Sequence, residues 1–354
     1  MRTLLLFLVL IISILILSFP RFNQQDLFGL KNFTGKAEEY NISRGYYLSG
    51  DAVDYLYAVK FYRGEIDRKE LKTPYVYRVM VPFIASFLPI KDALTSLNVL
   101  NILLYLTSIF FLYFLILDLG INKKYALIGI YLFGISFFPF YYLTFGNVDS
   151  GVILFVIIGL NAIIKRNNFL FFVALISGIL VKETAFVLIP FYFIFQFIFR
   201  NTLTIKKTDV LFYIFVIIVP FLAMTFIRIV FSDLPQYFWT PSINLILSNL
   251  VRVKAYFSPF LTLGVPGGVS IIFLYLYFKK KLRIRFSDSF DNSEQLKLLN
   301  YFISIFSVSF LLGMYAYLAA VADGRAFMSM FIVSIILTVI MIQHFKDKKV
   351  LNSQ

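Results

Sequence analysis

Long apolar runs alternate with short polar connections along almost the whole chain. After a first run from Leu4 to Leu17, candidate spans fall at about 94–118, 125–143, 147–164, 168–182, 185–199, 209–231, 257–278, 298–320 and 326–343. Such lengths suit a hydrocarbon core of about 30 Å, which a helix crosses in ~20 residues. Lipid offers the backbone no hydrogen-bond partner, so spanning segments are helices or closed barrels. Barrel strands would be about ten residues long with alternating polarity; these runs are longer and unbroken. The pattern predicts an all-α polytopic transmembrane helix bundle, a single integral membrane domain over 1–354. The first run follows Arg2 and resembles a signal peptide. Ser18, Phe19, Pro20 and Arg21 supply no small-residue cleavage site after it, so an uncleaved anchor is expected.

One segment decides the topology. Tyr75 to Ile90 is apolar but short, and it carries Arg78, Pro82 and Pro89. Laid along the interface as a short amphipathic helix, it leaves ten spans with both termini cytoplasmic. The inner connections then hold sixteen Lys or Arg and the later outer ones four, Lys182, Arg252, Lys254 and Arg325. That is the asymmetry expected of loops retained in the cytoplasm. Residues 21–92 become the first outer loop, with basic and acidic residues mixed, and 279–297 a basic cytoplasmic loop. The expected location is the cytoplasmic (plasma or inner) membrane.

Composition adds three exclusions. The net charge of +14 could indicate nucleic acid, but the basic residues flank apolar runs, so no nucleic-acid partner is expected. There is no cysteine, hence no disulfide framework, thiol nucleophile or zinc–thiolate site. The single histidine, His344, lies in the basic tail, so histidine acid–base chemistry is not expected.

In this topology Asp51, Asp54, Arg78, Asn147, Asp149, Lys182, Glu183, Asp233, Asp323 and Arg325 share the outer face. An ionisable group within a span costs roughly 2.5–3.5 kcal/mol and one at a span end far less, so each alone reads as a water-facing cap. What points to function is that carboxylates and cations gather near helix ends on a face otherwise poor in charge. Asp51 and Asp54 are three apart and share a helix face; Asp51 could equally cap a helix starting at Ala52. As a pair they suit a general base acting on a hydroxyl. Arg78 could snorkel to headgroups or hold a phosphate in its planar fork. Lys182-Glu183-Thr184 reads either as a hairpin turn with a local ion pair or as a lysine aimed at an anion. Asp149 reads as a helix cap or a polar contact to substrate, and Arg325 as a cation close to membrane-embedded phosphate.

Together these residues resemble the polytopic glycosyltransferases of the GT-C class, which use polyprenyl-phosphate-linked sugars. The resemblance lies in Asp51 through Tyr55 to Ala58 after the first span, interfacial helices at 54–65 and 75–90, Tyr77-Arg78 through Pro82, Asp149 at the outer start of a span, and Lys182-Glu183 before Pro190. The acidic pair is Asp-x-x-Asp, not adjacent, and no large C-terminal outer domain is present, which suits a monosaccharide transferase. The resemblance implies a GT-C-like fold of about ten spans with an outward-opening cavity. It further implies transfer of one sugar from a polyprenyl-phosphate donor to a cell-envelope glycan, lipid or protein acceptor. Asp51, or Asp54 in its place, would be the base. Arg78, Lys182 and Arg325 would neutralise the leaving phosphate, and Asp149 and Glu183 would position substrate or cations. No cofactor is required by the sequence; a divalent cation is compatible with the carboxylates. The rival expectations are a lipid-linked-glycan or polysaccharide transporter, with kinks at Pro139 and Pro220, a glycan polymerase, and a non-catalytic scaffold.

Overall fold

The computed structural model describes residues 5–16, 50–143, 146–199, 207–235, 242–279, 292–319 and 324–351. Among them there is no strand. The helices are α1 (Leu5–Ile16), α2 (Gly50–Tyr62), α3 (Met80–Ser86), α4 (Ala93–Asp118), α5 (Lys123–Ile135), α6 (Asp149–Ile164), α7 (Asn168–Val181), α8 (Leu188–Phe199), α9 (Lys207–Val230), α10 (Ile243–Val251), α11 (Val253–Phe278), α12 (Asn292–Ala319) and α13 (Met328–Leu351). Short 3₁₀ turns at Tyr75–Tyr77, Glu183–Val187 and Gly324–Phe327 precede α3, α8 and α13.

Five helices, in α4, α9, α11, α12 and α13, are long and apolar enough to cross a membrane; α1, α6, α7 and the Glu183–Phe199 segment are apolar but shorter. The chain is a helical membrane protein. α13 is buried along most of its apolar length and forms the centre of the bundle, whereas α9 exposes Leu211, Phe215, Ile218, Leu222, Phe226 and Ile229 on its outside. A soluble protein rarely presents so broad an apolar face to water; lipid is the solvent that suits it. α1 joins the core through Leu10 and Ile14, which crowd against Gly134.

The segment Tyr75–Ile90 forms no crossing helix. α3 has seven residues, about 10 Å at the helical rise, a third of the core thickness. Its predecessor helix begins at Gly50, so Asp51 lies in the first turn and is not its cap. The expected cytoplasmic loop 279–297 is shorter at its far end, because α12 already starts at Asn292; 280–291 lie outside the described residues, as do 21–49 of the first loop and Asp323.

Three apolar runs are interrupted. The 125–143 run splits: α5 stops at Ile135, Ser136 is extended, and Pro139–Leu143 makes a separate wide turn. Proline lacks the N–H that would continue the ladder. α11 bends at Gly264 (φ 51°, ψ −148°), a left-handed position that a glycine adopts without a Cβ clash. In the third, the extended Lys182 and the 3₁₀ turn Glu183–Val187 part α7 from α8. Pro220, by contrast, sits inside an uninterrupted α9.

The two ends of the bundle are distinct. At one end Asn122 caps α5 and its N–H donates to Gln343 near the end of α13, while Lys165 pairs with Asp118. His344 belongs to this end. At the other end lie the starts of α2, α4, α6 and α13 and the end of α7.

Candidate functional site

The charged residues of that second end form one continuous network. Asp149 opens α6, with a side chain fully excluded from solvent. Its turn is clamped from α4: Asn98 Oδ1 accepts from the Gly146 N–H at 2.7 Å, and Asn101 Nδ2 donates to the Asn147 carbonyl at 2.6 Å. Lys182 ends α7, the antiparallel neighbour, and its Nζ donates to Asp149 Oδ1 at 2.5 Å. A carboxylate at a helix start and an ammonium at a helix end both sit favourably in the helix dipole. Close approach of the two helices is set by small residues. A Cβ on Gly151 would press on Val81 and Val181, and one on Gly178 would strike Ala185.

Arg325 bridges this pair to the first loop. Its Nη1 lies 2.9 Å from Asp51 Oδ2 and 3.6 Å from Asp149 Oδ2. The 3₁₀ turn carrying it is seated by the Gly324 N–H donating to Ser258 Oγ at 2.7 Å. Gly324 packs so closely on Ser258 and Thr262 of α11 that no side chain fits there. The other Asp51 oxygen accepts from the Tyr75 hydroxyl at 2.9 Å. Arg78 completes the network: Nε lies 3.1 Å from Glu183 Oε2, Nη1 donates to the Tyr55 hydroxyl, and its guanidinium stacks 5.5 Å from the Tyr75 ring centre.

Several expectations change here. Lys182 and Glu183 do not pair locally; each reaches a residue distant in sequence, Asp149 and Arg78. Asp149 is no cap, and the N-cap position is Val148. Arg78 does not snorkel; it is largely buried among Tyr55, Tyr75 and Glu183. Asp233 stands apart, paired with Arg68 at 2.6 Å where the first loop meets the end of α9. Tyr75, Tyr142, Asn98 and Asn101 were not singled out from the sequence, where nothing separates them from the other tyrosines and asparagines. Tyr142 lies under Arg325, 5.5 Å from ring centre to guanidinium.

The two first-loop carboxylates are in different states. Burial raises the Asp51 carboxyl, but the charges of Arg325 and Lys182 and the Tyr75 hydrogen bond outweigh it, and the net is below the usual carboxylate range. Asp54 is raised to about 6, mainly by burial and further by Asp51, with Lys72 opposing. Burial and Asp51 push the Tyr75 hydroxyl up, so it stays a donor. Asp51 is thus an engaged anion, and Asp54 a carboxyl poised near neutrality.

Asp51, Asp149 and Glu183 match Arg78, Lys182 and Arg325 charge for charge. Within the cluster the Asn147 Oδ1, Asn98 Nδ2 and Asp149 Oδ2 atoms are buried without a hydrogen-bond partner. A buried polar atom without a partner calls for one, whether water, ion or ligand group. Among the described residues no three Asp, Glu or His side chains converge as a metal site; a guanidinium occupies the space between Asp51 and Asp149. The fold and site define a helical membrane protein with a charge-matched cluster at one end of the bundle. No family model, no curated protein and no solved structure matches the chain.

Proposed function

We propose that the chain is a membrane glycosyltransferase that moves one sugar from a polyprenyl-phosphate-linked donor to a glycan, lipid or protein acceptor at the outer face of the cytoplasmic membrane. This reading keeps ten spans, with the bilayer thinning to meet the shorter apolar helices, both termini inside, and α2 and α3 at the outer interface in a GT-C-like arrangement. The observation that supports it most is the convergence of Arg78, Lys182 and Arg325 beside the carboxylates of the first loop.

The donor phosphate takes the place of carboxylates on Arg325 and Lys182. Losing Arg325 leaves Asp51 an unpaired anion beside the acceptor. Asp54, with its raised pKa, is the second base. The acceptor hydroxyl gives its proton to one of them, its oxygen bonds to the anomeric carbon, and the carbon–phosphate oxygen bond breaks with its electron pair on the phosphate. Preorganised cations are most useful where that charge develops. Tyr75 and Asn147 supply polar contacts for sugar or acceptor. No metal is needed for these steps.

The test is sugar transfer by purified protein from a panel of polyprenyl-phosphate sugars, comparing wild type with Asp51→Asn and Asp54→Asn. Loss of about 10²–10⁴-fold in one variant is expected, the usual worth of a positioned base. Full activity in both variants rejects the assignment. A second reading, a lipid-linked-glycan transporter, draws on the interruptions at Ser136–Leu143 and Gly264, since broken helices line transport sites. Lipid flipping without transfer would favour it. A glycan polymerase differs from the transferase only in joining donors to a growing chain.

A further inference from the structure

At the end of the bundle opposite the charged cluster, a cavity of about 170 Å³ opens between the ends of α4, α6 and α8 and the start of α12, lined by Asp118, Lys165, Arg166, Phe199, Glu294 and Leu298 among others. It is small beside the ~300–1,000 Å³ of drug-sized pockets and fits a headgroup-sized molecule. Its walls carry two cations and two carboxylates. Asp118 Oδ2 positions Lys165 at 2.8 Å and accepts from Asn161 Nδ2 at 2.8 Å, which leaves the other Lys165 donors available.

Arg166 is the unusual member. Its φ of 54° is left-handed; it closes α6 with its N–H donating to Ile163 O and that of Asn167 to Ala162 O. Glycine is the ordinary residue at this position, and an L side chain there is strained. Such an exception points from strain to function. The Arg166 guanidinium lies 6.0 Å from the Phe199 ring centre, on the rim of the cavity. Among the described residues neither Arg166 nor Glu294, a cation and an anion of the same cavity, has an ion-pair partner.

We propose that this cavity binds a zwitterion of the phosphoethanolamine type, its phosphate on Arg166 and Lys165 and its ammonium on Glu294. A simple anion would meet both carboxylates, and a quaternary ammonium would lack the N–H donors that Glu294 accepts. Phe169 and Phe197 nearby in sequence are 79% and 86% exposed, an apolar surround that favours phosphatidylethanolamine as the source over a soluble phosphoethanolamine. The site is independent of the transferase reading.

The test is native mass spectrometry of the full chain in detergent, titrated with phosphatidylethanolamine, phosphatidylglycerol and phosphatidylcholine of equal chain length. Phosphatidylethanolamine is expected to bind at the lowest concentration. Arg166→Gly should weaken it about tenfold or more, the worth of one charge-assisted hydrogen bond, while the unfolding midpoint holds, because glycine relaxes the turn. Glu294→Gln should erase the preference over phosphatidylglycerol. Displacement of the lipid by soluble phosphoethanolamine supports the site with a soluble source; failure to displace it supports the lipid. Unchanged binding to Arg166→Gly, or equal binding of the three lipids by wild type, overturns the proposal.

Discussion

Arg325 lies 2.9 Å from Asp51 Oδ2, so the entry to α13 is tied directly to α2. Asp149, fully buried, sits 3.6 Å from the same Nη1 atom. A cation shared by two carboxylates from distant segments makes the cluster a cooperative unit. Its members should respond to mutation together, in contrast to isolated surface pairs.

Lys182→Met leaves the buried Asp149 carboxylate without its closest cation. Breaking one side of a buried pair costs about 3–5 kcal/mol. The double variant Asp149→Leu with Lys182→Met should be less damaged than the sum of the two singles. Unfolding midpoints in a fixed detergent, arranged as a double-mutant cycle, measure this; strict additivity would contradict the buried pair.

Asp233→Asn is the matching control. Its pair with Arg68 is solvent-exposed on both sides, and such pairs contribute about 0–1 kcal/mol. The expected midpoint shift is within the scatter of repeated measurements at moderate salt.

Asp54 gives a pH dependence of defined sign. Its folded pKa is raised to about 6 from 3.8, so the folded chain holds this proton more tightly than the unfolded one. Stability from this group is therefore present at low pH and lost as pH rises through about 6. Asp54→Asn removes the loss: its midpoint should exceed wild type at about pH 7.5 and approach it at about pH 4.5. An equal offset at both values would show that Asp54 does not titrate as stated.

Gly324→Ala forces a Cβ into the Ser258 backbone and Thr262 side chain. Overpacking of this kind costs about 1–3 kcal/mol, and the backbone shift that relieves it moves Arg325. Thermal destabilisation with loss of any site function is expected; Gly268→Ala, where a Cβ meets nothing within 4 Å, should change neither.

Sidedness can be read because the chain has no cysteine of its own. Thr184→Cys and Lys124→Cys place single thiols at exposed positions on opposite ends of the bundle. An impermeant maleimide on intact cells should label the first and spare the second. Labelling of the second alone would invert the proposed orientation; labelling of both, or of neither, would refute opposite faces.

The helical class and the gathering of charge at one end were legible from the sequence, since run length and polarity act locally. Pairing was not. Lys182 beside Glu183 reads as a local ion pair or as a lysine aimed at an anion elsewhere, and the sequence does not choose. The extended backbone at Lys182 (φ −168°, ψ 144°) separates the two side chains, and each meets a partner brought in by tertiary packing. The break at Ile135 had a signal in Pro139; the bend at Gly264 had only a glycine among several, two residues before Pro266. Pro220 carried the same signal as Pro139 and bends nothing that interrupts α9. Tyr75 and Tyr142 were hidden by number, two among 23 tyrosines.

The seat of Arg325 has a bearing on how the protein is made. Translation delivers Asp51, Asp149 and Lys182 to the membrane long before it delivers the arginine that links them. Until α13 inserts, the cluster holds three carboxylates against Arg78 and Lys182 alone, and Arg325 balances them in the closing stage of synthesis. A chain released before that helix would keep Asp51 without its cation and Asp149 with Lys182 alone.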